Sequence, residues 1–253
     1  MPLLPVSDGA QLYYEVTGIG PALVFAHGLG GNHMSWWQQV PAFSDRFTCV
    51  TFSHRGFHPS TGVADPERFT DDLAALVDHL KFADVALVAQ SMGGWTCLEY
   101  TLRQPEKVRA LVMAETTGPL NVETLDREGV EARTAALFDR GIHPAAGERM
   151  AREQPALHHL YRLIDGLGAG ADKRALRVRL SGSRTRPAAT MSGLRVPILW
   201  LFGDESYIGP EAAEWVARTF PSARMERVPE TGHSIYFERP DVFNRLVGGF
   251  LDA

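Results

Sequence analysis

Short apolar runs alternate along the chain with longer stretches whose apolar positions recur every three or four residues, and this alternation predicts parallel strands joined by helical crossovers. The runs fall at Gln11 to Val16, Ala22 to Ala26, Thr48 to Phe52, Val85 to Ala89, Val108 to Ala114, Pro197 to Phe202 and Arg224 to Val228. Several are apolar at every position, as strands covered on both faces must be. The fold class is therefore α/β: a mostly parallel central sheet flanked by helices.

Leu73, Leu76, Val77 and Leu80 lie at i, i+3, i+4 and i+7, with Asp71, Asp72, Asp78 and Lys81 on other faces. This spacing predicts a surface helix between Thr70 and Phe82, started by a hydroxyl and two acidic residues that suit its positive end. A second helix is predicted from Met92 to Gln104, stopping before Pro105. From about Gly118 to Leu194 the alternation breaks into helical patches without a convincing strand. A structureless connection of that length is uncommon in a compact domain. The chain is thus expected to fold as a core of residues 1–117 and 195–253 carrying a helical cap inserted at 118–194.

A chain of 253 residues with 45% hydrophobic content can bury a large core as one domain. Its formal net charge of -5, with Lys and Arg scattered, gives no basic footprint for nucleic acid, so a small-molecule substrate is the expected partner. The first residues show no basic-then-apolar leader, and no apolar run reaches membrane-spanning length, so a soluble cytoplasmic protein with no membrane partner is expected. Cys49 and Cys97 sit in apolar stretches and read as buried reduced thiols.

The residues that suggest chemistry cluster at strand ends. A serine hydroxyl needs a base within hydrogen-bond reach and donors for the oxyanion its attack creates. Ser91 follows strand Val85 to Ala89 and precedes the Met92 helix, with small residues at Ala89 and Gly93 to allow a sharp turn. Strand Ala22 to Ala26 runs into His27-Gly28-Leu29-Gly30-Gly31-Asn32, and Gly232-His233 follows the last strand. Together these resemble the nucleophile elbow, the His-Gly loop and the histidine loop of the α/β-hydrolase family, although Ala89 replaces the elbow's usual first glycine. The resemblance covers Gln11 to Val112 and Val196 to Leu251, and includes an imperfect Arg-Gly turn at His54-Arg55-Gly56. It implies Ser91 as nucleophile, His233 as general base, and an oxyanion hole from the backbone N–H groups of Leu29 and Met92. His27 is expected to brace its loop. His54, His58, His143, His158 and His159 read as solvent or pocket residues.

The family's third triad member usually ends a Gly-x-x-Asp segment after the penultimate strand. Here that segment is Gly203-Asp204-Glu205-Ser206, and serine supplies no negative charge. Glu115, at the end of strand Val108 to Ala114, is the preferred acid, with Glu205, Asp204 or a Ser-His dyad as alternatives. Serine instead of aspartate at the nucleophile argues against dehalogenase or epoxide-hydrolase chemistry. The resemblance therefore implies a serine hydrolase of the carboxylesterase type, cleaving an ester, thioester or lactone of a small apolar substrate, with no cofactor and no metal. A carbon-carbon bond hydrolase, a cofactor-independent dioxygenase-like enzyme and a non-catalytic ligand receptor remain alternatives on this fold. Trp36, Trp95, His27 and Tyr236 are the expected pocket residues, and Leu29, Met92, Ile235 and Tyr236 suggest an apolar acyl site.

Overall fold

The computed structural model describes residues 2–168 and 170–253. Its strands are β1 (Leu3–Pro5), β2 (Gln11–Thr17), β3 (Ala22–Ala26), β4 (Thr48–Phe52), β5 (Val85–Gln90), β6 (Val108–Ala114), β7 (Ile198–Gly203) and β8 (Arg224–Val228). They form one eight-stranded sheet in the order β1-β2-β4-β3-β5-β6-β7-β8. β1 and β2 pair antiparallel, as do β2 and β4, and every pairing from β4 through β3 to β8 is parallel. The α/β reading of the sequence is therefore correct. β1 has no counterpart among the predicted strands: three residues, Leu3–Pro5, ending in a proline carry too little pattern to read.

Side-chain alternation splits the interior into two cores, one on each face of the sheet. In β3, Leu23 and Phe25 enter one apolar cluster while Val24 and Ala26 enter the other. β5 divides in the same way, Ala86 and Val88 against Leu87 and Ala89. Because both faces are covered, all five residues of β3 and all six of β5 are buried. On one face pack α2 (Phe69–His79), α3 (Gly93–Arg103) and α8 (Gly209–Thr219), through residues such as Leu73, Leu98 and Trp215. On the other pack the short α1 (Val40–Phe43), the one-turn α9 (Ile235–Glu238) and α10 (Pro240–Leu251), through Phe43, Phe237, Phe243 and Val247. The Arg-Gly turn after β4 is tied to α2 by a buried pair, Arg55 Nε and Nη2 donating to the two oxygens of Asp72 at 2.6 and 2.5 Å.

Between β6 and β7 the chain forms α4 (Arg127–Asp139), α5 (Glu148–Glu153), α6 (Pro155–Leu167) and α7 (Lys173–Gly182). Asp126 and Asp172 cap α4 and α7 by accepting backbone N–H bonds from Gly129 and Ala175. Tyr161 and Ile164 on one stripe of α6 join the sheet's core, while Leu163 and Leu167 stay exposed. Among the described residues no helix is long and apolar enough to cross a membrane. Both cysteines are free and buried.

Candidate functional site

The turn after β5 is as short as the sequence suggested but lies one residue later, because Gln90 still belongs to the strand and Ser91 and Met92 separate it from α3. Ser91 takes a left-handed φ of 49°, a conformation that costs a non-glycine residue of order 1 kcal/mol and projects its side chain out of the sheet. The corner closes only because its neighbours are small. A Cβ on Gly93 would meet the carbonyl oxygen of Ala26 at 2.3 Å, and one on Gly28 would stand 3.0 Å from Ser91 Cβ.

His233 reaches this corner from the loop after β8, in a position fixed from two sides. Gln90 Nε2 donates to the His233 carbonyl at 2.7 Å, and buried Glu238 accepts from the Gly232 N–H at 2.7 Å and the Gly147 N–H at 3.3 Å. His233 Nε2 then lies 2.8 Å from Ser91 Oγ. Its Nδ1 lies 3.0 Å from Ser206 Oγ and 3.6 Å from Glu115 Oε2. The loop position that lacks a carboxylate thus touches the imidazole through a hydroxyl, with a carboxyl from the next strand end just beyond it.

Glu115 is almost wholly buried, and its Oε1 accepts from the Gly203 N–H. Burial pushes its carboxyl up to about 8, although the Ser206 hydroxyl and the Gly203 N–H offset part of that cost. His233 moves the other way: burial, then the positive charges of Arg177 and Arg184, push its imidazole down to about 3. At neutral pH the ring is therefore uncharged and its Nε2 is free to accept a proton once Nδ1 carries the hydrogen. Asp204 and Glu205 face elsewhere, accepting from the backbone N–H groups of Thr231 at 3.4 Å and Glu148 at 2.7 Å. Among the described residues, neither the Leu29 nor the Met92 N–H has an acceptor.

Ser91 and His233 border a cavity of ≈ 170 Å³ whose wall includes Leu29, Phe138, Tyr161, Tyr207, Lys173 and Arg177. None of the four residues expected to line a pocket does so. Trp36 and Tyr236 stack on each other inside the core, their centroids 4.5 Å apart, because their large apolar rings pack under α10 instead of facing a ligand. His27 is fully buried, accepts the His54 N–H at 2.9 Å on Nε2 and contacts the Gly28 carbonyl through Nδ1, so it stiffens the loop. Trp95 turns toward α7 and donates its indole N–H to Ser183.

His54 is likewise no solvent or pocket residue but a buried partner of His27 and Thr96. The wall is also not the apolar acyl site expected: of Leu29, Met92, Ile235 and Tyr236 only Leu29 borders the cavity, which carries Asp165, Lys173, Arg177 and His143. Tyr207, Gln90 and Glu238 were not singled out from sequence. Tyr207 lies against the His233 ring, centroid to centroid 4.1 Å. Its place beside Ser206 was the available signal; nothing local marks Gln90, whose partner His233 is 143 residues away, or Glu238, which joins the nearby Gly232 to Gly147, 91 residues away.

Residues 21–160 match the family model described as the alpha/beta hydrolase fold. The chain is 29% identical to the putative non-heme bromoperoxidase BpoC of Mycobacterium tuberculosis, across 95% of this chain and 97% of that protein. It is 24% identical to 3-oxoadipate enol-lactonase 2 of Acinetobacter baylyi, across 90% of this chain and 87% of the relative. Among solved structures, Est816, described as an N-acyl homoserine lactone degrading enzyme, superposes with a TM-score of 0.81 at 24% identity, over 98% of this chain and 100% of that one, a likeness of fold. With the family match spanning more than half of its length and the parallel sheet carrying the expected corner after β5, this chain belongs to the alpha/beta hydrolase fold family.

Proposed function

We propose that the chain is a serine hydrolase that cleaves esters, thioesters or lactones through an acyl-enzyme on Ser91. The observation that carries this reading is the 2.8 Å contact between Ser91 Oγ and His233 Nε2 at a left-handed strand-to-helix corner that opens into the cavity. Ser91 Oγ attacks the carbonyl carbon while its proton passes to Nε2. The Leu29 and Met92 N–H groups, lacking other acceptors among the described residues, receive the oxyanion. The carbonyl then re-forms, the carbon-oxygen or carbon-sulfur bond to the leaving group breaks, and Nε2 returns the proton to that group. Water, deprotonated by the same nitrogen, attacks the acyl carbon and releases the acid and free Ser91. A relative described as an enol-lactonase supports carbonyl substrates of this class.

Glu115 is the acid of this machinery. As Nε2 takes the proton, the Nδ1 hydrogen is donated to Ser206 Oγ, whose own hydrogen turns to Glu115 Oε2, so Glu115, in the ionised form that gains population as pH rises toward about 8, stabilises the imidazolium across one hydroxyl. A fluorophosphonate should label the folded protein once, at Ser91 by peptide mapping. Ser91→Ala should abolish labelling and lower the turnover of p-nitrophenyl esters by about 10⁴-fold or more. Folded protein that stays unlabelled, or a Ser91→Ala variant of near-normal activity, would overturn the proposal.

A further inference from the structure

The charged groups of the cavity wall do not balance. Lys173 Nζ is paired with Asp165 at 2.7 Å, and His143 lies 3.5 Å from the same carboxylate. Arg179, on the same helix as Arg177, is paired with Asp65 at 2.6 Å. Arg177, which borders the cavity beside Ser91, has no carboxylate within 4.0 Å among the described residues. Arg184 adds a second positive charge without a carboxylate among those residues, held 4.6 Å over the Trp95 ring and donating to Thr117 Oγ1 at 2.8 Å.

Both guanidinium groups act on His233, and the reaction requires that ring to become positive. Two uncompensated cations oppose this, and Glu115 meets the ring on its Nδ1 side, away from the cavity. An anion bound in the cavity would remove the opposition at the moment of catalysis. We propose that Arg177 binds a carboxylate of the substrate, so that the ester, thioester or lactone taken by this site is an acid derivative carrying a second, free carboxylate. This inference rests on the acyl-transfer reading above. The small cavity and the shared wall of Ser91 and Arg177 place that carboxylate on a short acyl or leaving group.

The test compares p-nitrophenyl butyrate with p-nitrophenyl hemisuccinate, whose acyl chains are of equal length and differ by the terminal carboxylate. The ratio of kcat/KM for the hemisuccinate over the butyrate should fall about tenfold or more in Arg177→Gln and much less in Arg177→Lys. Added salt should lower the same ratio in the wild type and leave it nearly flat in Arg177→Gln. Calorimetric titration of Ser91→Ala with glutarate, which needs no turnover, should show binding that weakens about tenfold when Arg177→Gln is added.

A ratio and a glutarate affinity both indifferent to Arg177, in protein whose ester turnover depends on Ser91, would overturn the carboxylate site and leave the acyl-transfer reading intact. Arg177-dependent glutarate binding with no turnover of either ester would sink the acyl-transfer reading and retain the anion site. Absence of both binding and turnover would overturn the proposal.

Discussion

The ends of β5 and β6 are the same backbone device put to opposite uses. The strands are hydrogen-bonded neighbours in a register that sets Gln90 opposite Ala114, so Ser91 and Glu115 hold equivalent places one residue further on. Both are non-glycine residues in the left-handed region, at φ 49° and 55°. Both remain tied to the next strand: the Ser91 N–H donates to Ala114 and the Glu115 N–H to Leu201. Yet Ser91 opens on the cavity while Glu115 is sealed in. After Ser91 the chain turns at once into α3, which leaves the hydroxyl bare. After Glu115 come the buried Thr116 and Thr117, and α4 does not begin until Arg127. A hydrogen bond to the neighbouring strand can hold a strained corner in place, and the path of the chain beyond it decides whether its side chain opens on the cavity or is sealed beneath it.

The sharpest way to break this comparison is to remove the ionisable group from the sealed corner. Glu115→Gln keeps the shape and the Gly203 contact but cannot ionise to stabilise an imidazolium, so kcat should fall by about 10² to 10³-fold with little change in KM. Ser206 already contacts His233 Nδ1, so adding Ser206→Asp to Glu115→Gln should restore about tenfold or more by returning a carboxylate to the ring from the other side. Esterase kinetics on the single and double variants decides it. A Glu115→Gln enzyme of normal kcat would show that the two corners are not coupled through the histidine.

The same contrast explains what could be read from sequence. The central strands were legible because a sheet covered on both faces demands apolar runs, and Ala22 to Ala26, Thr48 to Phe52 and Val108 to Ala114 agree with the structure to the residue. Ser91 and His233 were legible as residues of stated type beside glycines at strand ends, where backbone closure restricts the sequence locally. Glu115 could be named by its position after β6, but the contact of Ser206 Oγ with His233 Nδ1 could not, since it depends on side chains from two loops. The cavity wall was the least legible part. Arg177 and Lys173 come from a helix whose pattern shows only that it is amphipathic, and aromatic residues such as Trp36, which invite a pocket reading, are more useful to a core.

A weaker test reads the burial of the sealed corner through stability. With Glu115 held up at about 8, and Glu238 likewise by its own burial, both carboxyls keep their protons in the folded chain at pH values where the unfolded chain has lost them. Between the ordinary glutamate range and about pH 8 the folded state therefore binds more protons, and stability falls as pH rises. The buried His233 and His27, both pushed to about 3 chiefly by burial, destabilise with the opposite sign, but only below the ordinary histidine range. From about pH 6.5 to 8 the histidine contribution fades, and it cancels when the wild type is compared with Glu115→Gln. Urea unfolding over that window should lose on the order of 1 kcal/mol in the wild type and less in Glu115→Gln. Equal slopes in the two proteins would mean that Glu115 is not neutral in the fold.

The smallest expected effect isolates the corner itself. Ser91→Ala and Ser91→Gly both delete the hydroxyl and its contact with His233 Nε2, so they differ by a single Cβ. In regular structure glycine is the worse choice by roughly 0.5–1 kcal/mol, because its unfolded chain has more freedom to lose. At φ 49° the Cβ of alanine carries a left-handed penalty of about 1 kcal/mol that glycine escapes. The two terms oppose each other, so Ser91→Gly should unfold at the same urea concentration as Ser91→Ala or a slightly higher one. Were the glycine variant weaker by the ordinary margin, the corner would store no strain, and the exposed serine would be held by its surroundings without cost.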